Sequence, residues 1–201
     1  MEMPIFEEVC SRVLRQPRFW MKMFVGGLLS FLPGLNLFAF GYLYRISHLA
    51  QTRGLVALPE WSDWRGLFFD GIKFAVVWLI YWLLPLLLAL GVSALFAMIG
   101  FGALAYTIVS IMFVFSPIVF GAALYRFNHR GDFSDLLDVI LIIRMSYLAF
   151  PRQLFPAFFF FGVFALCPAL YGFSLFVGFT LLIFQTGLSF RSVEHNRSVS
   201  F

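Results

Sequence analysis

The chain has 201 residues and a net charge of +4, and 62% of its residues are hydrophobic while only 12% are charged. Soluble domains are typically about 45–50% apolar and about 25% charged, so the composition excludes an ordinary soluble fold and predicts an integral membrane protein. The 14 basic residues lie between and beside the apolar runs instead of in one block. This distribution argues against a nucleic-acid partner and is typical of residues that set orientation at lipid headgroups.

The chain begins with a polar stretch, residues 1–22, in which an amphipathic helix is predicted. Apolar residues recur at helical spacing over residues 3–18, with acids and arginines on the other side of the helix. Such a helix is expected to lie in the membrane interface and not to cross the bilayer.

The first apolar run, Met23 to Tyr44, is long enough to cross a bilayer once, which takes about 20 residues. However, Pro33 and Gly34 interrupt its middle, and a Pro-Gly pair can also turn a re-entrant hairpin whose backbone is covered by protein. A hairpin leaves all 14 basic residues on the cytoplasmic side, as the positive-inside rule favours, whereas the internal repeat described below favours a full span. Both interpretations stay open, and the charge distribution makes the hairpin the preferred one.

The two middle runs, Gly71–Phe96 and Ala103–Tyr125, predict membrane-spanning helices. The turn between them, near Gly100, contains no charged residue. A link this short and apolar indicates a tight helical hairpin.

The last third of the chain contains a second polar stretch and one long apolar run. The polar stretch, Arg126–Arg152, is expected to hold an interfacial helix that ends before Pro151, because proline disfavours a helical conformation in the residue before it. The apolar run, residues 154–190, is too long for one ordinary crossing and predicts a hairpin that turns near Pro168. A loose polar tail, residues 191–201, is expected to follow.

Two stretches of the sequence resemble each other. Leu43–His48 (LYRISH) and Leu124–His129 (LYRFNH) each end an apolar run, and each is followed by an aromatic residue, Ser and Asp, at residues 61–63 and 133–135. The same order of features behind both copies indicates an internal duplication.

The whole chain is therefore predicted to be a single transmembrane domain with two related halves, residues 23–97 and residues 102–190, the second of which includes the final helix. The fold class is an all-α integral membrane protein made of helical hairpins, two related helix-loop-helix halves and interfacial amphipathic helices. Because Lys and Arg in short connections stay cytoplasmic, the two polar connections and the C-terminus are expected to face the cytoplasm from the inner membrane of the cell.

The first polar stretch between apolar runs, residues 41–73, carries the most distinctive motif of the chain. Its conspicuous residues are Gly41-Tyr42-Leu43, Leu58-Pro59-Glu60-Trp61, Asp63-Trp64 and Asp70-Gly71. With this pattern the chain resembles the DUF4013 family of uncharacterised bacterial and archaeal multi-pass membrane proteins over most of its length. The resemblance implies a membrane protein, and it implies no particular activity, substrate or cofactor.

The acids and tryptophans of this motif have a structural and a functional interpretation. In the structural one, Trp61 and Trp64 anchor a helix at the membrane interface. Glu60 and Asp63 then cap the N-terminus of that helix, and Asp70 pairs with the lysine three residues later. In the functional one, the same side chains form a cytoplasmic surface that grips a partner or a lipid headgroup. The structural interpretation is preferred.

Three arginines and two histidines complete the candidate residues. Arg45 and Arg126 end their helices in equivalent repeat positions, where a cation is favourable next to the helix dipole and can also bind a lipid phosphate. Arg144 lies in the apolar stretch VILIIRMSY, and a charge in such a setting is a functional hypothesis by default. His48 and His129 are equivalent in the repeat, but no carboxylate or Cys stands at ligand spacing beside them, so a metal or haem role is disfavoured.

No signature of catalysis is present in the sequence, which contains no P-loop, HExxH, GxSxG or dinucleotide-binding motif. No acid or base lies within residues 74–96, 103–125 or 154–190, where an ion-coupled transporter would need one. We therefore predict a non-enzymatic scaffold or accessory subunit without a cofactor, whose partner is another membrane protein or a second copy of the chain. The alternative is a small transporter or lipid-handling protein that binds anionic headgroups.

Overall fold

All the apolar runs of the sequence are helical in the computed structural model of the protein, as expected for a chain that must satisfy its backbone hydrogen bonds within itself when it lies in lipid. The structure describes residues 5–166 and 168–199, and no residue in these ranges is in a β-strand. The helices are α1 (Phe6–Leu14), α2 (Phe19–Phe31), α3 (Asn36–Arg53), α4 (Trp64–Trp78), α5 (Leu84–Met98), α6 (Gly102–Arg130), α7 (Val139–Leu166) and α8 (Tyr171–Val199). A π-helical turn, Leu79–Leu83, joins α4 to α5, and 3-10 turns at Phe133–Leu137 and Pro168–Leu170 precede α7 and α8.

Within the described ranges, three helical stretches are long and apolar enough to cross a bilayer: Trp64–Met98, Gly102–His129 and Tyr171–Ser192. The predicted class, an all-α integral membrane protein, is thereby confirmed. The central element is α8, which is largely buried and packs against α2, α3, α6 and α7. Phe179 on this helix lies 5.5 Å from the ring of Phe120 on α6 and 5.0 Å from the ring of Phe160 on α7. Much of the phenylalanine content of the sequence is used in this packing.

The first apolar run doubles back at Pro33 and Gly34, between α2 and α3. Both of its ends contact the loop that follows α3: the Lys22 ammonium donates to the carbonyl of Leu58 over 2.9 Å, and the Tyr42 hydroxyl donates to the carbonyl of Pro59 over 2.8 Å. Residues 23–44 therefore form a helical hairpin, and the alternative of one uninterrupted spanning helix is wrong.

The closest backbone approach in the first half is the crossing of α3 and α4. A side chain on Gly41 would collide with the carbonyl of Leu67, and one on Gly71 would collide with the carbonyl of Leu37. Each helix thus offers a glycine at the point where the other helix passes. Only residues without a Cβ allow this distance between the two axes.

The helix that follows the second polar stretch is longer than the sequence predicted. Helix α7 passes through Pro151 and Pro156 without a break and ends at Leu166, so the predicted end before Pro151 is wrong. A proline removes one backbone donor from a helix, but neighbouring helices can hold such a helix together in an apolar environment. The predicted hairpin between α7 and α8 is present, since Phe160 and the Cα of Gly178 lie against each other. Cys167, beside the predicted turn, lies outside the described residues.

Both ends of the chain are helical where the structure describes them. Helix α1 buries Val9 and Val13 and exposes its acids, and its placement in the headgroup layer stays a prediction. Helix α8 continues through Arg191 to Val199. The tail that was expected to be loose is therefore helical up to that residue.

We expect Gly41→Ala and Gly71→Ala each to destabilise the protein by about 1–3 kcal/mol, because a methyl group at the α3–α4 crossing pushes two backbones apart. The measurement is the midpoint of thermal unfolding in detergent, followed by circular dichroism. Gly91→Ala is the matched control, since Gly91 on α5 has open space around its Cα, and alanine is the better helix former by about 1 kcal/mol. An unchanged midpoint for both crossing variants would contradict the described packing.

Candidate functional site

The loop between α3 and α4, which we call the first connection (residues 54–63), is organised by the guanidinium of Arg45. Its Nη2 donates to Oδ2 of Asp63 over 2.8 Å, its Nε donates to Oδ2 of Asp70 over 3.1 Å, and its Nη1 donates to the carbonyl of Ser62 over 3.2 Å. The Arg45 guanidinium is therefore ion-paired with two carboxylates of the protein itself. The expectation that it binds a lipid phosphate has no support in this geometry, because two acids already neutralise it.

Asp63 combines two roles at the start of α4. Its Oδ1 accepts from the backbone N–H of Gly66 over 3.1 Å, which caps the helix, while its Oδ2 holds Arg45. The hydrogen bond from Gly66, and then the guanidinium, lower the pKa of the Asp63 carboxyl. The predicted cap is thus present at Asp63, which is also half of an ion pair. Glu60, which was predicted to cap the same helix, binds Lys22 instead.

Trp61 and Lys22 fasten the first connection to the α2–α3 hairpin. The Trp61 ring stacks on Tyr42 with centroids 4.2 Å apart and also lies against Phe176 of α8. Its indole N–H donates to the carbonyl of Lys22 over 3.3 Å. The Lys22 ammonium is buried, and it binds the carboxylate of Glu60 over 2.7 Å, which lowers the pKa of Glu60. Trp61 is therefore partly buried by packing within the protein, and its role as an interfacial anchor stays a prediction.

The other two motif residues differ in exposure, since Asp70 is mostly buried by its ion pairs and Trp64 is not. Trp64, predicted to be an interfacial anchor, is 48% exposed. The Asp70 carboxylate forms ion pairs with both Arg45 and Lys73. The Lys73 ammonium lies 3.4 Å from Oδ1 of Asp70, in agreement with the predicted i, i+3 pair.

The second connection, residues 131–138 between α6 and α7, divides the roles of Asp63 between two acids. Oδ1 of Asp138 accepts from the backbone N–H of Leu141 over 3.2 Å, three residues on, as Asp63 does for Gly66. Asp135 forms the ion pair, with its Oδ1 3.3 Å from Nη2 of Arg126. The Asp135 side chain is only 7% exposed, so this pair is more buried than its counterpart in the first connection.

The helices that lead into the two connections meet directly. The amide of Asn128 donates to the hydroxyl of Ser47 over 2.7 Å, and the amide of Gln51 donates to the carbonyl of Tyr125 over 3.2 Å. Ser47 and Asn128 hold the same place in the two repeated sequences. His48 and His129 follow them, and among the residues that the structure describes no group of three His, Cys, Asp or Glu side chains could hold a metal ion.

A cavity of about 240 Å³ lies between the ends of α6, α7 and α8, and we call it the α6–α7–α8 pocket. Its walls are mostly apolar. Its lining includes three basic side chains: Arg126, His129 and Arg152. Of these, Arg126 and His129 were among the candidate residues of the sequence, and Arg152 was not. His129 was weighed as a metal ligand, and Arg152 is separated from Arg126 by a long stretch of sequence, so only the packing of α7 on α6 brings the two cations to one cavity.

Arg144 lies elsewhere on α7. It is exposed between Ile140 and Tyr147, which are themselves 83% and 79% exposed. It is not among the lining residues of the α6–α7–α8 pocket. The charge that looked most unusual in the sequence therefore sits on an outward face.

These features define the class of the protein, which is an all-α, multi-pass membrane protein with two arginine-centred polar connections whose preceding helices, α3 and α6, contact each other. Within this class, the chain belongs to the family described as protein of unknown function (DUF4013), whose model matches residues 25–177. The matched range contains all of the motif residues that build the first connection. No curated protein matches the chain, and no solved structure does.

We expect Asp63→Asn to lower the unfolding midpoint at neutral pH by a few degrees, because asparagine keeps the cap but loses the charge that holds Arg45. The pKa of Asp63 is below its ordinary value of 3.8 in the folded protein. Its contribution to stability is therefore present above the unfolded pKa and is lost as the pH falls through the folded pKa.

The measurement is the unfolding midpoint in detergent between neutral pH and about pH 3, the range in which an aspartate titrates. The variant should lose less stability than the wild type as the pH falls. Glu7→Gln, which removes a carboxylate on α1, is the control and should keep the wild-type profile. Parallel profiles for Asp63→Asn and the wild type would refute the role of the ion pair.

Proposed function

We propose that this protein is a non-enzymatic membrane protein that handles lipids and binds an amphiphile with an anionic headgroup in the α6–α7–α8 pocket. The observation that carries the proposal is the composition of the pocket, in which apolar walls meet Arg126, His129 and Arg152. Apolar walls suit an acyl chain. Arginines suit a phosphate or carboxylate, because the guanidinium offers several donors in one plane.

The charge balance in the pocket supports an anionic ligand. Asp135 neutralises Arg126 only in part, since it contacts one edge of the guanidinium, and Arg152 is an exposed second cation on the same cavity. Charges in partly apolar surroundings interact more strongly than charges in water. A neutral headgroup would leave this positive charge without a partner.

The size of the pocket indicates that it holds the headgroup of a lipid and only the first part of the acyl chain. A drug-sized ligand needs a cavity of roughly 300–1,000 Å³, and this pocket has about 240 Å³. The remainder of a lipid chain would lie along the exposed apolar side chains of α7, such as Leu148, which also lines the pocket.

We also propose that the two connections are copies of one element and that both face the cytoplasm. The equivalent ion pairs Arg45–Asp63 and Arg126–Asp135 and the contact of Ser47 with Asn128 support the duplication. The contacts of Lys22 with the first connection bring the N-terminal basic residues to the same end as the others, in agreement with the positive-inside rule.

A second candidate function is a scaffold that holds a membrane-protein partner or a second copy of the chain at the first connection. One observation favours it: the Glu60 and Asp63 side chains are 66% and 65% exposed although each is held by a cation. Fixed, exposed carboxylates beside the exposed Trp64 would suit a basic partner surface. The proposal is weaker because Trp61 is already covered by Tyr42.

We expect the double variant His129→Gln/Arg152→Gln to retain about fivefold less phosphatidylglycerol than the wild type, because two rim contacts to the headgroup are lost at up to about 1 kcal/mol each. The protein is extracted from membranes in mild detergent, and co-purified lipid is measured by native mass spectrometry. Arg144→Gln is the matched control, since it removes the same charge from α7 outside the pocket. Equal retention in all three proteins would overturn the proposed function.

A further inference from the structure

The two arginines at the centre of the connections differ in one hydrogen bond. In the first connection, Nε of Arg45 donates to Asp70 and Nη2 donates to Asp63. In the second connection, Nη2 of Arg126 contacts Asp135, but its Nε is buried and has no hydrogen-bond partner within the described part of the chain. A buried donor without a partner is unfavourable, so this atom marks a place where an acceptor is missing.

The missing acceptor is explained in the helix that follows the connection, when positions are counted from the cap of that helix. Counted from the ion-paired Asp135 instead, the place of Asp70 is held by Ile142, which is buried and also apolar. Asp70 comes seven residues, or two helical turns, after Asp63, the residue that caps α4. Helix α7 begins beside Asp138, whose carboxylate accepts from Leu141 in the same way. Seven residues after Asp138 stands Met145, on the same face of the helix as its cap, and Met145 lines the α6–α7–α8 pocket together with Arg126. The second connection thus has a thioether where the first has a carboxylate.

We propose that an oxyanion of the ligand takes the place of the absent carboxylate and accepts a hydrogen bond from Nε of Arg126. This inference rests on the proposed function and names the atom that recognises the headgroup. The ligand group is a phosphate or carboxylate carried on an apolar chain, because the remaining walls of the pocket, including Leu141 and Phe190, are apolar. In the first connection the acceptor for the arginine Nε is Asp70 of the protein itself, and in the second connection the acceptor is a ligand oxygen.

The central experiment supplies the missing carboxylate from the protein itself. Met145→Asp should place an acid beside Nε of Arg126 and exclude the ligand, so that retained phosphatidylglycerol falls about tenfold, the effect of one charge-assisted hydrogen bond. Met145→Asn is the matched control, since it has the same shape without the charge that repels an anionic headgroup, and it should retain more lipid than Met145→Asp. Equal retention in Met145→Asp and the wild type would overturn the inference.

A second variant keeps the test decisive if Met145→Asp does not fold. Arg126→Lys preserves the positive charge and a partner for Asp135 but has no Nε donor, and it should also retain about tenfold less lipid. Retention as in the wild type would overturn the inference. The two proposals can fail separately. If the His129→Gln/Arg152→Gln variant loses lipid while Arg126→Lys and Met145→Asp retain it, the pocket binds lipid through His129 and Arg152. In that case the proposed function stands, and the hydrogen bond from Nε of Arg126 to the ligand is refuted.

The source of the oxyanion is tested with defined probes. The wild-type protein is placed in phosphatidylcholine nanodiscs with or without phosphatidylglycerol, and inorganic phosphate is added to each at millimolar concentration. We expect selective retention of phosphatidylglycerol that inorganic phosphate does not reverse, because the apolar walls contribute to binding. Displacement by inorganic phosphate would overturn the requirement for an apolar chain and would assign the site to a free anion.

Discussion

The ion pair of Arg45 with Asp63 and Asp70 is the interaction on which the first half of the structure depends. Arg45 lies in the middle of α3, which continues to Arg53, and not at the helix end that the sequence predicted. The ion pair joins this part of α3 to both the cap and the second turn of α4, beside the crossing where Gly41 and Gly71 bring the two backbones together. Charges that are only partly exposed interact strongly when several donors and acceptors are satisfied at once. The ring of Trp61, stacked on Tyr42, and the buried ammonium of Lys22, bound to Glu60, also hold the first connection against the α2–α3 hairpin.

The second connection repeats this plan, but its arginine is paired with one acid instead of two, and this difference separates a structural element from a candidate binding site. Where the first arginine has every edge occupied, Arg126 has a buried Nε beside a cavity that Arg152 also lines. The capping role and the pairing role, which Asp63 performs alone, are divided between Asp138 and Asp135.

Much of the architecture was predictable because lipid imposes simple rules on sequence. Apolar runs had to become helices, and residues 74–96 and 103–125 lie within the helical stretches Trp64–Met98 and Gly102–His129. The end of α7 was predicted wrongly at Pro151, because a single-residue rule for proline does not include the neighbouring helices that support the chain. The stacking of Trp61 on Tyr42 was not predictable for a similar reason, since Tyr42 lies on another helix and no local pattern indicates the contact.

The membrane class, the hairpin of the middle runs, the cap at Asp63 and the resemblance of the two connections were all predictable, because each follows from local composition or from spacing along one helix. Which charges neutralise each other was not predictable in this way. Arg45 and Arg126 both follow Leu-Tyr, yet one meets two carboxylates and the other meets one carboxylate and a cavity. That difference depends on which residue of the next helix lies against the arginine, and the packing of the helices in the tertiary structure is needed to identify this residue.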